Sequence, residues 1–305
     1  PEVWITGLDN GGTSSGIIYT INPDLTQSIF SNDLDGRAFN TIGSGDYNQD
    51  GFEDIIVAGL SGDLSSSTTS LLQNNTANGF FTVSAGFQHV SSSAVSMGDL
   101  NNDGLTDIII AGIDDGSLKY LKYYRNNPGF TFTDETHGMK NIYNGDVTPG
   151  DYDNDGDLDI FQIGNSDIAP QANIYTSDQS LATVNNAPSV PGSLAASVNV
   201  DSVYFSWNVS ADDHTHANSI SYNLYVSKNP GGTGLMISPL SDITTGFLRI
   251  PANGNAGLKN FKSVRKLPEG RYYWSVQAID NGFKASSFAP EQSFAVCYPF
   301  SLGND

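Results

Sequence analysis

Three stretches of this chain are near copies of one another: GDYNQDGFEDIIVAG at 45–59, GDLNNDGLTDIIIAG at 98–112 and GDYDNDGDLDIFQIG at 150–164. A shorter segment, EVWITG at 2–7, repeats only the end of the pattern. The closing glycines, Gly7, Gly59, Gly112 and Gly164, lie 52, 53 and 52 residues apart. Self-similarity at a period near 50 marks a repeat architecture, in which each unit is one supersecondary element that buries its apolar face only against its neighbours. The first part of the chain therefore cannot be a fold built on one central core.

Each unit reads as four short strands and no stretch shows helical periodicity. The first strand leads into the acidic segment (NTIGS, AVSMG, DVTPG). The second leaves it as a nearly unbroken apolar run (DIIVAG, DIIIAG, DIFQIG), the pattern of a strand buried on both faces. An alternating third strand follows (SGIIYTIN, STTSLLQNN, LKYLKYYRN, QANIYTS), then a fourth (QSIFS, FFTVS, FTFTDE, LATVN). Four antiparallel strands with apolar inner members predict β-propeller blades across 1–184. Only three whole units and the last three strands of a fourth are present, which predicts a partial propeller. Glu2 stands where the last acidic position of a further loop would fall, so the array is expected to begin inside a blade.

The pattern stops after Gly164. NNAPSVPGS at 185–193 reads as a linker. Beyond it, 194–297 holds short segments separated by turns: LAASV, VYFSWNV, SYNLYVS, FLRIPA, YYWSVQAID and QSFAV. This second pattern predicts a β-sandwich, followed by a tail at 298–305. The fold class is thus all-β throughout.

Within each acidic segment, oxygen-bearing side chains occupy positions 1, 3, 5 and 9 of a loop with glycine at position 6. They are Asp46, Asn48, Asp50 and Asp54 in the first copy, Asp99, Asn101, Asp103 and Asp107 in the second, and Asp151, Asp153, Asp155 and Asp159 in the third. Alternate spacing through a tight loop turns these oxygens toward one point. The carbonyl of position 7 (Phe52, Leu105 or Asp157) can add a ligand. Hard oxygen donors in this number suit Ca²⁺ at about 2.3–2.6 Å, one ion per loop and about three in all. Clustered carboxylates repel one another, and a bound cation resolves the conflict. The competing reading makes the Asn-Gly and Asp-Gly pairs plain hairpin turns. Three copies in one register argue against it. A helix-loop-helix calcium site is disfavoured, since strands flank the loop and position 12 offers no Glu.

Charge follows the same division. Residues 1–187 carry 25 acidic and 5 basic residues and 188–305 carry 8 of each, so the whole net charge of −20 lies in the repeats. That balance argues against nucleic acid, which needs clustered Lys and Arg. A single cysteine, Cys297, excludes an internal disulfide. No apolar run reaches the roughly 18–20 residues of a membrane span.

The repeated GDxNxDGxxDIxxxG resembles the FG-GAP/VCBS repeats of integrin α-chain-type propellers. That resemblance implies Ca²⁺ bound at the loop residues named above. The second half is similar to fibronectin type III domains. Trp207 stands in FSW as the core tryptophan of strand B, and Tyr222, Leu224 and Val226 alternate as strand C would. LPEGRYYWSVQAID (267–280) resembles the corner before strand F and the strand itself, with Tyr272 as the corner tyrosine. The pairing of the two resembles large secreted surface proteins of the Bacteroidetes. It implies an extracellular, cell-surface protein for adhesion or scaffolding, with a protein or glycan ligand or self-assembly as its partner. The alternatives are a subunit of an extracellular filament and an accessory part of a secreted polysaccharide-active enzyme.

Direct enzyme signals are weak: there is no HExxH, P-loop or dinucleotide fingerprint. DDHTH at 212–216 reads either as a transition-metal site or as a polar loop of the sandwich. Tyr120, Tyr123 and Tyr124 read either as a carbohydrate-binding face or as packing within a blade.

Overall fold

The computed structural model describes residues 2–8, 14–21, 27–34, 37–75, 79–177, 184–200, 202–265 and 267–297. The strand expected at LATVN and the tail 298–305 lie wholly or largely outside them. The architecture is all-β, with one short 3₁₀ turn at Pro230–Gly232, and no helix among the described residues is long and apolar enough to cross a membrane. The chain divides into two compact units, Pro1–Val184 and Asn185–Asp305.

The first unit is a run of antiparallel sheets, each a simple meander. The first contains β1 (Glu2–Leu8), β2 (Ser14–Ile21) and β3 (Gln27–Leu34). The second contains β4 (Ala38–Gly45), β5 (Asp54–Leu60), β6 (Ser67–Asn74) and β7 (Phe80–Val83). The third contains β8 (Ser91–Gly98), β9 (Asp107–Ile113), β10 (Lys119–Asn127) and β11 (Thr131–Glu135). The fourth contains β12 (Tyr143–Gly150), β13 (Asp159–Asn165) and β14 (Pro170–Tyr175). Each acidic loop is the hairpin joining the first two strands of its sheet, and its ninth residue is the first residue of the apolar strand. Gly45 pairs with Asp54, Gly98 with Asp107 and Gly150 with Asp159.

The sheets pack on one another in chain order, β1 against β4, β8 against β4 and β5, and β12 against β8 and β9. Ile56, Ala58 and Leu71 of the second sheet form one core with Val95, Met97, Ile108, Ile110 and Tyr124 of the third. Burying both faces is what demands the uninterrupted apolar runs of β5 and β9. The third copy departs from that expectation. In β13, Phe161 and Ile163 are exposed while Ile160 and Gln162 are buried, because no further sheet among the described residues lies on that face.

The closing glycine has a steric cause. Each first strand carries a register shift (Ala38/Thr41, Ser91/Ala94, Tyr143/Asp146), with a bulge residue at positive φ: Phe39, Ser92 and Asn144. The bulged backbone sits over the glycine opposite. A Cβ at Gly59 would lie 2.8 Å from the Ala38 carbonyl oxygen, and one at Gly112 would lie 2.7 Å from that of Ser91. Gly7 meets nothing within 4 Å, and no described strand pairs with β1 on that side.

The second unit has two sheets. One holds β15 (Ala195–Val198), β16 (Ser202–Ser206) and β19 (Phe261–Arg265). The other, in the order β18-β17-β20-β21, holds β17 (Ser221–Asn229), β18 (Thr233–Ile237), β20 (Gly270–Ile279) and β21 (Gln292–Val296). Side chains of both share one core, including Val203, Phe205, Trp207, Tyr222, Leu224, Tyr272, Trp274 and Val276. The Tyr272 hydroxyl donates to the Pro268 carbonyl at 2.9 Å. FLRIPA is not a strand. Only Leu248 makes a bridge there, to Ser241, and Pro251 cannot donate to a ladder. Strands form instead at β18 and β19. The stretch 185–193 is hydrogen-bonded to this unit: Asn185 donates to Asp280 at 3.0 Å, and the Asn208 amide donates to the Gly192 carbonyl at 2.8 Å.

Candidate metal centre

The three acidic loops close through the same hydrogen bonds. At position 1, the carboxylate accepts from the amides of positions 5 and 6. For Asp46 these are Asp50 and Gly51, both at 3.0 Å; for Asp99, Asp103 at 3.0 Å and Gly104 at 2.8 Å; for Asp151, Asp155 at 3.1 Å and Gly156 at 3.2 Å. At position 3, the side-chain oxygen of Asn48, Asn101 or Asp153 accepts from the position 5 amide. The position 5 carboxylate accepts from the amide of Phe52, Leu105 or Asp157. Two backward bends make this possible, at position 4 (Gln49, Asn102, Asn154; φ 58, 57 and 60°) and at the glycine of position 6 (φ 82, 84 and 97°). Left-handed φ is cheap for glycine and tolerated by Asn, which accounts for the amide-rich fourth position and the fixed sixth.

Position 9 ties the loop to its sheet. Asp54 accepts from the Tyr47 amide at 3.2 Å and the Asn74 amide at 2.8 Å. Asp107 accepts from Leu100 at 3.1 Å, Asn126 at 2.8 Å and the Tyr123 hydroxyl at 3.0 Å. Asp159 accepts from Tyr152 at 2.7 Å and Ser177 at 2.9 Å. One carboxylate thus anchors the start of the loop and the end of the third strand together.

These oxygens are crowded. Asp151, Asp153 and Asp159 bring one ligand oxygen each within 4.8 Å of the others. Burial, reinforced by the charges of Asp46 and Asp50, pushes Asp54 up to about 8. Asp107 rises to about 8 by burial and by Asp99 and Asp103, and Asp99 rises to about 6 by burial and by Asp103. No described Lys or Arg forms an ion pair with Asp54, Asp99 or Asp107. A buried set of hard oxygens without a protein counter-charge is the donor chemistry a divalent cation fits.

Residues outside the expected set also shape the site. The Gln49 side chain donates to the Gly104 carbonyl at 3.0 Å, and that of Asn102 donates to the Gly156 carbonyl at 3.2 Å, so position 4 of one loop clasps position 6 of the next. Thr106 donates to the Asp46 carbonyl at 3.2 Å, and buried Asn126 bridges the carbonyls of Tyr47 and Thr106 at 2.8 and 3.1 Å. The amide at every fourth position was the signal for the first pair. Nothing local marked Asn126.

Two other expectations resolve differently. The Tyr123 hydroxyl is bound to Asp107, that of Tyr124 accepts from the Gln88 amide and that of Tyr120 donates to Asp114, so the three are tied into sheet packing rather than set out as a binding platform. Asp212, Asp213 and His214 bring donors within 4.8 Å. Asp213 lies 3.0 Å from His214 Nδ1 and accepts from the Asn186 side chain at 2.6 Å, while Asp212 accepts from the amides of His214 and Thr215.

Residues 46–110 and 99–161 match the family described as FG-GAP-like repeat. No curated protein sequence matches the chain. Among solved structures, it is similar to the extracellular domain of a hybrid two-component system protein of B. thetaiotaomicron (12% identity, TM-score 0.28, covering 94% of this chain). It is also similar to that of a one-component system protein of the same organism (10% identity, TM-score 0.29, covering 97%). The chain spans 36% of each of those structures, and the likeness is too loose to bear on the fold.

Proposed function

We propose that this chain is part of an extracellular, cell-surface adhesion or scaffolding protein in which Ca²⁺ stiffens a partial β-propeller joined to a fibronectin type III-like sandwich. The carrying observation is that the same hydrogen bonds from backbone amides to the side chains of positions 1, 3, 5 and 9 close all three loops, although positions 2, 4, 7 and 8 vary among them. Each cage would hold one ion between the first two strands of a sheet, through the side chains of positions 1, 3, 5 and 9 and the carbonyl of position 7. Match to an FG-GAP-like repeat family supports this reading. The strand orders of the second unit and the Tyr272 corner bond support the type III assignment. The role is mechanical, with contact surfaces for a protein or glycan ligand offered by loops and sheet faces and no chemical step of its own.

Calorimetry and thermal melting with calcium or chelator test it. Extracellular sites work at dissociation constants of about 10⁻⁴–10⁻³ M. At tenfold excess over such a constant each site adds about 1.4 kcal/mol, roughly 4 kcal/mol for three. The melting temperature of the first unit should rise by roughly ten degrees. Absence of binding heat at millimolar calcium, with melting indifferent to chelator, overturns the proposal.

A further inference from the structure

The bonds that close each acidic loop run through particular peptide groups, and side chains of the adjacent loop hold those same groups from the other side. The Leu105 amide donates to the Asp103 carboxylate at 2.9 Å. Its peptide partner is the Gly104 carbonyl, which accepts from the Gln49 side chain at 3.0 Å. Because a peptide group is planar, fixing its oxygen fixes the direction of its N–H. Gln49 of the first loop therefore aims a donor at position 5 of the second. Asn102 repeats this one loop further on. It holds the Gly156 carbonyl at 3.2 Å, and the same peptide carries the Asp157 amide that donates to Asp155 at 3.2 Å.

A return contact runs from the second loop to the first. The Thr106 hydroxyl donates to the Asp46 carbonyl at 3.2 Å, on the peptide whose N–H, that of Tyr47, donates to Asp54. Asn126 joins the same two loops: its backbone amide donates to Asp107 at 2.8 Å, and its side chain to the carbonyls of Tyr47 and Thr106 at 2.8 and 3.1 Å. Asn102, Thr106 and Asn126 are all buried, so water is a poor substitute for a lost partner. The second and third loops share less. Leu158 stands in the place of Thr106 and Ser177 in that of Asn126, so the sequence supplies neither the returning hydroxyl nor the bridging amide there.

We propose that the loops bind calcium cooperatively, with Gln49, Asn102, Thr106 and Asn126 as the positioning residues that couple each loop to the next. This rests on the reading of the loops as calcium sites. A clasp joins two closed loops and is lost when either opens, so whatever holds one loop closed favours closure of its neighbour, equally in both directions. Electrostatics opposes this, because a cation in one loop withdraws negative potential from the next. That opposition is screened by salt, with a Debye length of about 8 Å at physiological ionic strength, whereas buried hydrogen bonds are not. The array should thus tighten over a narrower calcium range than three separate sites would. Filling the first loop should raise the affinity of the second about tenfold, through two clasps and a bridge. Filling the second should raise that of the third about threefold, through one.

Calorimetry on the 305-residue chain at physiological salt tests it. In Asp155→Asn, whose third loop lacks one carboxylate, two ions should bind. The product of their constants, compared with the single constants measured after adding Asp50→Asn or Asp103→Asn, gives the coupling between the first and second loops. About tenfold is expected. Gln49→Gly keeps the left-handed bend and should cut the coupling about threefold; with Thr106→Val added it should fall to within about twofold of unity. Thr106→Ser in place of Thr106→Val keeps the hydroxyl and should hold the coupling at the Gln49→Gly level. Loss of stability alone does not move this ratio. Gln49 is half-buried, so its variant carries the test by itself should Thr106→Val fail to fold. Two ions with a coupling of one overturn the proposal and leave the calcium sites standing, as does a tenfold coupling that survives in folded Gln49→Gly. No ion bound at all overturns both.

Discussion

The first two acidic loops and the third share a sequence pattern and a hydrogen-bond pattern but not a setting. Asp46, Asp99 and Asn102 are buried, with position 2 filled by buried Tyr47 or Leu100, because a following sheet lies over each loop. Asp151, Tyr152 and Asn154 are exposed. The comparison separates two causes. Local spacing and the left-handed bends build the cage, whereas the neighbouring sheet decides how dry it is. Dryness in turn governs electrostatics, since burial is the leading cause that lifts Asp54 and Asp107 to about 8.

The largest effect should come from the residue that joins loop to neighbour. Tyr47→Ala empties a core position among Phe87, Phe130 and Phe132 and should cost about 3 kcal/mol or more. Tyr152→Ala, its counterpart in the third loop, should stay within about 0.5 kcal/mol. Denaturant melts of the two variants, with equal effects as the contrary outcome, would break the comparison.

The pH dependence should be next in size. A carboxylate whose folded pKa lies above its unfolded value binds its proton more tightly when folded, so its contribution to stability is lost as pH rises. For Asp54 and Asp107 that window runs from the ordinary carboxylate value of 3.8 to about 8. Calcium-free protein should therefore lose stability steadily between about pH 5 and 8, and saturating calcium should flatten the slope. Melting curves across that range in chelator and in calcium would show it. A chelated protein more stable at pH 8 than at pH 5 would contradict it.

Asn102→Ala removes the clasp from the second loop to the Gly156 carbonyl and should cost about 1 kcal/mol. It should also weaken calcium binding at the third loop, which calorimetry can resolve. Smallest of all should be Asn154→Gly. Glycine keeps the left-handed bend and the amide it replaces is exposed, so the change should stay below about 0.5 kcal/mol, and a larger loss would mean that the amide has a partner in solution.

Much of the first unit was legible in advance because its information is local. The hairpins, their acidic positions and the apolar strands are set by spacing, and the closing glycine recurs because each bulge leaves no room for a Cβ. The second unit was harder to read. FLRIPA carries strand-like composition yet makes only the Leu248–Ser241 bridge, whereas FKSVR, three of its five residues charged or polar, pairs along its whole length with Ser202–Ser206 as the edge strand of that sheet. Pairing partners far along the chain decided both outcomes, and β-propensity records fit to such partners rather than an intrinsic preference.

By itself, then, the amino-acid order determined the repeat period, the all-β class, the division of charge and the twelve oxygen-bearing side chains of the loops, since these depend on neighbours a few residues apart. Only the tertiary structure decided which loops are dry, that Gln49 and Asn102 reach the next loop and that Phe161 and Ile163 stay in solvent. Those properties depend on whether a sheet some fifty residues away covers the face, and no local pattern encodes that.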